Sequence, residues 1–128
     1  MIKVQRFSNK GRGIVATKKI AKETLIEVSP VASFPPYQRD IIDKTELSPY
    51  YFVKHSEYET NKNVCGHIVF GLASLCNHSE TPNAYIKWVE DEIGLWVHLI
   101  ALKLIQMGDE VLIYYTNIDE YSSVCRFI

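Results

Sequence analysis

Gly108-Asp109-Glu110-Val111-Leu112-Ile113-Tyr114-Tyr115 places a turn, an acidic pair and an apolar run ending in two tyrosines in one short stretch. Glycine and aspartate favour turns, whereas Val, Leu, Ile and Tyr fit a pleated, half-buried surface, so the stretch reads as a turn feeding a strand. Side chains alternate along a strand. If that alternation runs to the end, Tyr114 and Tyr115 point to opposite faces and at most one lines a given pocket. By itself the pattern equally describes a core strand with one packed tyrosine and one exposed hydroxyl.

Upstream, the apolar run Gly66 to Cys76 stops at Asn77-His78-Ser79, and Pro82-Asn83 follows. Periodicity leaves helix and strand open for that run, and its two glycines suit close packing beneath another segment. Asn77 both donates and accepts hydrogen bonds, and the backbone at His78 suits an adenine edge; Asn77 and Ser79 are equally apt as turn or helix caps. Further upstream still, Ser8-Asn9-Lys10-Gly11-Arg12-Gly13 precedes Ile14-Val15-Ala16 and reads as a glycine-bearing loop entering a strand. Gly11 and Gly13 lack Cβ atoms, so this backbone fits either a tight turn or close approach to a cofactor.

The intervening sequence predicts short strands. Thr24 to Val28 is one, ended by Ser29-Pro30; Ala84 to Val89 and Leu95 to Leu99 are two more, joined by a hairpin at Glu90 to Gly94. Between Phe34 and Tyr51 the prolines Pro35, Pro36 and Pro49 favour a loop with a short helix. Ala16 to Ile20 echoes Ala101 to Ile105, which suggests two similar arches within one fold.

A chain of 128 residues, 47% hydrophobic and 23% charged, fits one packed domain spanning 1–128. Fourteen basic against fifteen acidic residues argue against a nucleic-acid scaffold, which advertises a basic surface. Cys65, Cys76 and Cys125 are far apart and odd in number, which argues against a disulfide framework. His78 has no second histidine at a short ligand spacing, and no metal site is expected. Met1 to Lys10 lacks a signal-peptide core and polar residues interrupt the run Ile93 to Met107, so the expectation is a soluble intracellular protein, cytoplasmic or nuclear, without a membrane span.

Taken together, Gly11-Arg12-Gly13 before Ile14-Val15-Ala16, Asn77-His78-Ser79 with Pro82-Asn83, and Gly108 through Tyr115 resemble, in order and spacing, the motifs of the SET-domain family of protein-lysine methyltransferases. The resemblance runs from about Lys3 to Tyr115 and is nearest to minimal, free-standing viral or microbial members. It implies a mainly β fold of small curved sheets with short helices, in which the closing segment makes a knot-like crossing beside Asn77-His78. It also implies S-adenosylmethionine as cofactor, held by Gly11, Arg12, Gly13, Asn77 and His78. Tyr115 is then the catalytic residue that orients a lysine ε-amine, and Tyr50, Ile113, Tyr114 and Tyr121 are the substrate-channel candidates.

Ile113 stands where many relatives carry Phe or Tyr, and an aliphatic residue there implies room for multiple methylation. Two departures matter. After Tyr115 only one cysteine, Cys125, remains, so residues 116–128, with Tyr121 and Phe127, are expected to serve as a metal-free lid in place of a zinc-bearing tail, and Glu23 replaces a glycine common in the first arch. A protein or histone lysine is the implied substrate, a homodimer is compatible with so small a domain, and the competing reading is a SET-fold module that binds lysine peptides without turning them over.

Overall fold

The computed structural model describes residues 1–120. Its first element is a hairpin of β1 (Ile2–Phe7) and β2 (Gly11–Ala16), antiparallel with Phe7 opposite Gly11. The sequence reading placed Gly11 to Gly13 in a loop, but the strand already begins at Gly11. That residue, at φ 70, closes the turn in the left-handed region open to glycine, and regular pairing resumes immediately. Ile14, Val15 and Ala16 are buried, which anchors an otherwise exposed hairpin to the core.

A five-stranded antiparallel sheet follows, in the order β4-β5-β3-β8-β7. Its strands are β3 (Leu25–Phe34), β4 (Tyr51–Phe52), β5 (Gly66–Val69), β7 (Ala84–Glu90) and β8 (Leu95–Ala101). β3 does not end at Ser29-Pro30 as its sequence suggests. Leu25 to Pro30 pair with β8, Val31 to Phe34 pair with β5, and Pro30 sits at the exchange of partners, where its carbonyl accepts from Phe70 N–H at 3.0 Å. A proline is tolerated there because the missing donor falls at the exchange rather than inside a continuous ladder.

β7 and β8 form the expected hairpin. Asp91 organises the turn: its side chain accepts from the backbone of Ile93 and Gly94 and from Trp96 Nε1 at 2.9 Å, and these bonds hold its carboxyl below the usual carboxylate range. Along β8, Val97, Leu99 and Ala101 are buried in period-two alternation and form the centre of the main core with Ile14, Ile20, Ile105, Val111 and Ile113. Each such aliphatic side chain contributes about 1.5–3 kcal/mol on full burial.

The two arches suggested by the internal echo pair with one another. Ile20 and Ile105 exchange backbone hydrogen bonds of 2.8 and 2.9 Å and both are buried. Glu23, which stands where the family resemblance implies a glycine, has a left-handed backbone at φ 68. That conformation costs a non-glycine residue roughly 1–2 kcal/mol.

Between β3 and β5 lies an insert containing α1 (Pro36–Ile42) and α2 (His55–Tyr58), with a 3-10 turn at Ser48–Tyr50. It has its own small core of Tyr51, Val53, Tyr58 and Val64. The Gly66 to Cys76 run resolves into both alternatives: β5 first, then a 3-10 turn at Leu72–Leu75. Glu27 accepts from the N–H groups of Leu72 and Ala73 at 3.0 and 2.9 Å, capping that turn.

The closing segment is shorter as a strand than its composition suggests. Only β9 (Leu112–Ile113) is strand, and it pairs in parallel with β6 (Asn77–His78), so the segment passes beside Asn77-His78 as expected. No helix among the described residues is long and apolar enough to cross a membrane.

Candidate active site

β6 and β9 bring the central and closing motifs together. Asn83 holds them: its Nδ2 donates to the Glu110 carbonyl at 2.8 Å, its Oδ1 accepts from Leu112 N–H at 2.8 Å, and its backbone N–H donates to the Leu112 carbonyl at 3.1 Å. Ser79 N–H adds a bond to the Ile113 carbonyl at 2.9 Å. A two-residue strand has too few ladder bonds to hold its register, and the Asn83 amide substitutes for the missing ones.

The first motif joins at Asn77. Its Nδ2 donates to Glu110 Oε2 at 2.7 Å and to the Arg12 carbonyl at 3.2 Å, while Lys10 forms an ion pair with the same carboxylate. A Cβ on Gly13 would lie 2.6 Å from Glu110 Oε2 and 2.7 Å from Asn77 Nδ2, so any side chain there would push these two hydrogen-bonded groups aside. Thus Gly11, Arg12, Gly13, Asn77 and His78, separated by some 65 positions in the chain, form one polar corner.

Tyr115 lies beside that corner with both ends fixed. Its hydroxyl donates to the Cys76 carbonyl at 2.7 Å, and its N–H donates to His78 Nδ1 at 2.9 Å. Because Nδ1 accepts, the neutral His78 ring carries its proton on Nε2, 3.3 Å from Glu80 Oε1. The His78 ring also packs on Tyr114 and Tyr115, at centroid distances of 4.8 and 5.2 Å. Burial raises the Cys76 thiol far above its ordinary range, so this cysteine serves the site through its carbonyl, not its sulfur.

In front of Tyr115 opens a cleft of about 470 Å³. Pro49, Tyr51, Phe52 and Val53 of the insert form one wall, Ala84, Ile86 and Trp88 of β7 another, and Ile113 to Asn117 the closing side. Ile113 is 2% exposed and lines the cleft. Tyr114 and Tyr115 both line it: regular strand ends at Ile113, so the alternation that would send them to opposite faces does not run that far. Tyr51 and Phe52, rather than Tyr50, reach the cleft; Tyr50 belongs to the preceding 3-10 turn. Tyr121, Cys125 and Phe127 lie outside the described residues, as does most of the expected lid.

These three motifs meeting in one place can be compared with known proteins. The family model for the SET domain matches residues 11–116. The chain belongs to the SET-domain family. A histone-lysine N-methyltransferase of Schizosaccharomyces pombe, specific for lysine 37 of H3, is 28% identical over 129 residues, covering 98% of this chain and 82% of that protein. A Debaryomyces hansenii histone-lysine N-methyltransferase specific for H3 lysine 36 is 31% identical over 120 residues, but this SET chain spans only 16% of its length. The crystal structure of a candidate histone methyltransferase from Plasmodium falciparum superposes with a TM-score of 0.68 at 25% identity, covering 90% of this chain and 96% of that one.

Asn83, Glu110 and Trp88 were not singled out as site residues by sequence. Asn83 had a signal in its place after Pro82 in the polar cluster, and Glu110 in the acidic pair of the closing motif. Trp88 had none, since an aromatic residue in a strand is ordinarily core.

Proposed function

We propose that this SET domain is an S-adenosylmethionine-dependent protein-lysine methyltransferase in which Tyr115 orients the substrate amine. One observation carries the reading: the Tyr115 hydroxyl, tethered to the Cys76 carbonyl, stands where the apolar cleft meets the corner built from Gly11 to Gly13, Asn77 and His78.

The corner fits the cofactor. Backbone at Gly11 to Gly13 and at Asn77-His78 offers polar groups without bulk, Arg12 is an exposed cation for a carboxylate, and the half-exposed ring of Tyr114 offers a face to a base. Asn77 has its Nδ2 committed to Glu110 and Arg12, so its carbonyl oxygen is the group it offers a ligand, and an ammonium is the matching donor. When bound, S-adenosylmethionine supplies an electrophilic methyl group on a sulfonium.

The cleft fits the substrate. A lysine side chain is an aliphatic stem with an amine of pKa near 10.4, which must be neutral to attack carbon. Walls of Phe52, Val53, Ile86, Trp88 and Ile113 cover the stem and disfavour the charged form by desolvation. Tyr115, held by two hydrogen bonds, fixes the direction from which the amine arrives, and alignment of this kind is the main demand of a straight displacement. With Ile113 rather than an aromatic residue beside Tyr115, the end of the cleft has room for an amine already carrying methyl groups, which favours multiple methylation.

A histone lysine is the substrate class suggested by the similar proteins. The deciding experiment is transfer of labelled methyl from the cofactor to histones and to other basic proteins, with mass spectrometry locating each product. Methylated lysine, carrying more than one methyl on a fraction of sites, is expected. Cofactor binding with no incorporation into any lysine would replace the enzyme with a non-catalytic binding module.

A further inference from the structure

The insert and the segment beyond Tyr115 meet away from the main core, and the contact is ionic. Arg39 is 7% exposed on α1, and its hydrogen-bond partners lie beyond that helix. Its Nη1 donates to the Lys62 carbonyl at 2.7 Å, its Nε donates to Tyr51 Oη at 3.3 Å, and its Nη2 pairs with Glu120 Oε1 at 2.6 Å, across 81 positions of sequence. Glu120 Oε1 also accepts from Asn117 Nδ2 at 2.9 Å. Asn117 is buried and lines the cleft two residues after Tyr115. Alongside, Asp119 accepts from Tyr58 Oη at 2.9 Å and pairs with Lys62.

A buried guanidinium in a small domain is costly unless its donors are satisfied and its charge is matched. Here they are met by the insert on one side and by the 3-10 turn Ile118–Glu120 on the other. Tyr115 itself is secured independently, by Cys76 and His78. The closing segment is therefore anchored twice: at Tyr115 to the cofactor corner, and at Glu120 to the insert that forms the opposite cleft wall. Of the four residues between the anchors, Thr116 and Asn117 line the cleft.

We propose that Arg39 is a positioning residue for substrate access: through Glu120 it fixes Asn117 and holds the insert and closing walls of the cleft at one separation. The inference rests on the methyltransferase reading for its kinetic consequence, but the latch itself does not. Opening it leaves Tyr115 in place and widens the cleft, so substrate affinity suffers while the chemical step and the cofactor corner are spared.

The test uses the full chain with Glu120→Ala, Glu120→Gln and Arg39→Met, a lysine peptide identified by the methylation experiment, and S-adenosylmethionine. Glu120→Ala is expected to raise the peptide KM about tenfold, with kcat within threefold and the cofactor dissociation constant within twofold, as loss of a charged hydrogen bond implies. Glu120→Gln, which keeps an acceptor, should recover most of the loss. A fall in kcat at unchanged KM, or a parallel loss of cofactor binding, would overturn the proposal. Hydrogen exchange of the same proteins gives a second readout that needs no activity: amides at 116–120 should exchange at least tenfold faster in Glu120→Ala and Arg39→Met while those of β7 and β8 do not. Unchanged exchange defeats the latch even in an active enzyme, whereas an inert parent with a working latch defeats only the methyltransferase reading.

Discussion

The hydroxyl of Tyr115 donates to the backbone carbonyl of Cys76 at 2.7 Å. Because the acceptor is main chain at the end of a capped 3-10 turn, it cannot rotate away, and the bond favours one position of the hydroxyl in the cleft. The bond exists before any substrate arrives, so its ordering cost falls on folding rather than on the reaction.

Removing that hydroxyl tests its role directly. Tyr115→Phe should lower methyl transfer at saturating substrate by about 10²-fold or more, the usual effect of deleting one preorganised hydrogen-bonding group at a reacting centre. With its proton committed to Cys76, the hydroxyl meets the amine as an acceptor; stability should fall by only about 1 kcal/mol, one net hydrogen bond, and cofactor affinity should hold. Equal rates for parent and variant would show that Tyr115 does not orient the amine.

At the polar corner, Asn77→Ala removes the donor shared by Glu110 and the Arg12 carbonyl. Calorimetry should find cofactor binding weakened about tenfold, which corresponds to roughly 1.4 kcal/mol. An unchanged dissociation constant would remove Asn77 from the cofactor site.

Asn83→Ala reaches the same site through structure. Three hydrogen bonds tie Asn83 to Glu110 and Leu112, two of them through its side chain, and the alanine variant leaves a carbonyl and an N–H without their side-chain partner. Unfolding free energy should drop by about 2–4 kcal/mol, measured by urea titration, and activity should fall with it. A loss below about 0.5 kcal/mol would mean that β6 and β9 hold their register without the amide.

His67 makes stability depend on pH. Burial lowers its pKa below the ordinary 6.5, nearby Lys54 adds to the shift, and Glu57 opposes it; Nδ1 is engaged by Ser33 Oγ at 2.7 Å, while Nε2 is buried without a hydrogen bond. The folded state therefore prefers the neutral ring. Below 6.5 the unfolded chain takes up the proton first, so this contribution to stability is present at neutral pH and is lost as pH falls through the window just under 6.5. His67→Gln should flatten the decline in melting temperature between about pH 7.5 and about pH 5.5. Identical pH profiles for parent and variant would assign the decline to other groups.

Much of this was legible in the chain. The β7 and β8 hairpin follows from branched and aromatic runs either side of the acidic, glycine-containing segment Glu90 to Gly94, because strand composition and turn chemistry are local properties. The three motifs were readable as sequence for a similar reason: Gly13 leaves room for the Glu110 and Asn77 side chains, and the Asn77 amide donates to both Glu110 and the Arg12 carbonyl. Local rules failed where a neighbour from elsewhere decided the outcome. Pro30 did not end β3, since the strand could change partners there, and Tyr114 did not turn away from the cleft, since the strand had already stopped.

By itself, then, the sequence determined a mainly β chain with SET-family motifs in order, and it singled out Tyr115, Asn77 and the glycines around Arg12 as the groups worth testing. Only the tertiary structure decided that Cys76 holds Tyr115 by its carbonyl, that Asn83 splints a two-residue strand pair, and that Arg39 reaches Glu120. Backbone acceptors carry no residue-specific signal, and an ion pair spanning 81 positions depends on where the chain folds back, which no local window of side chains contains.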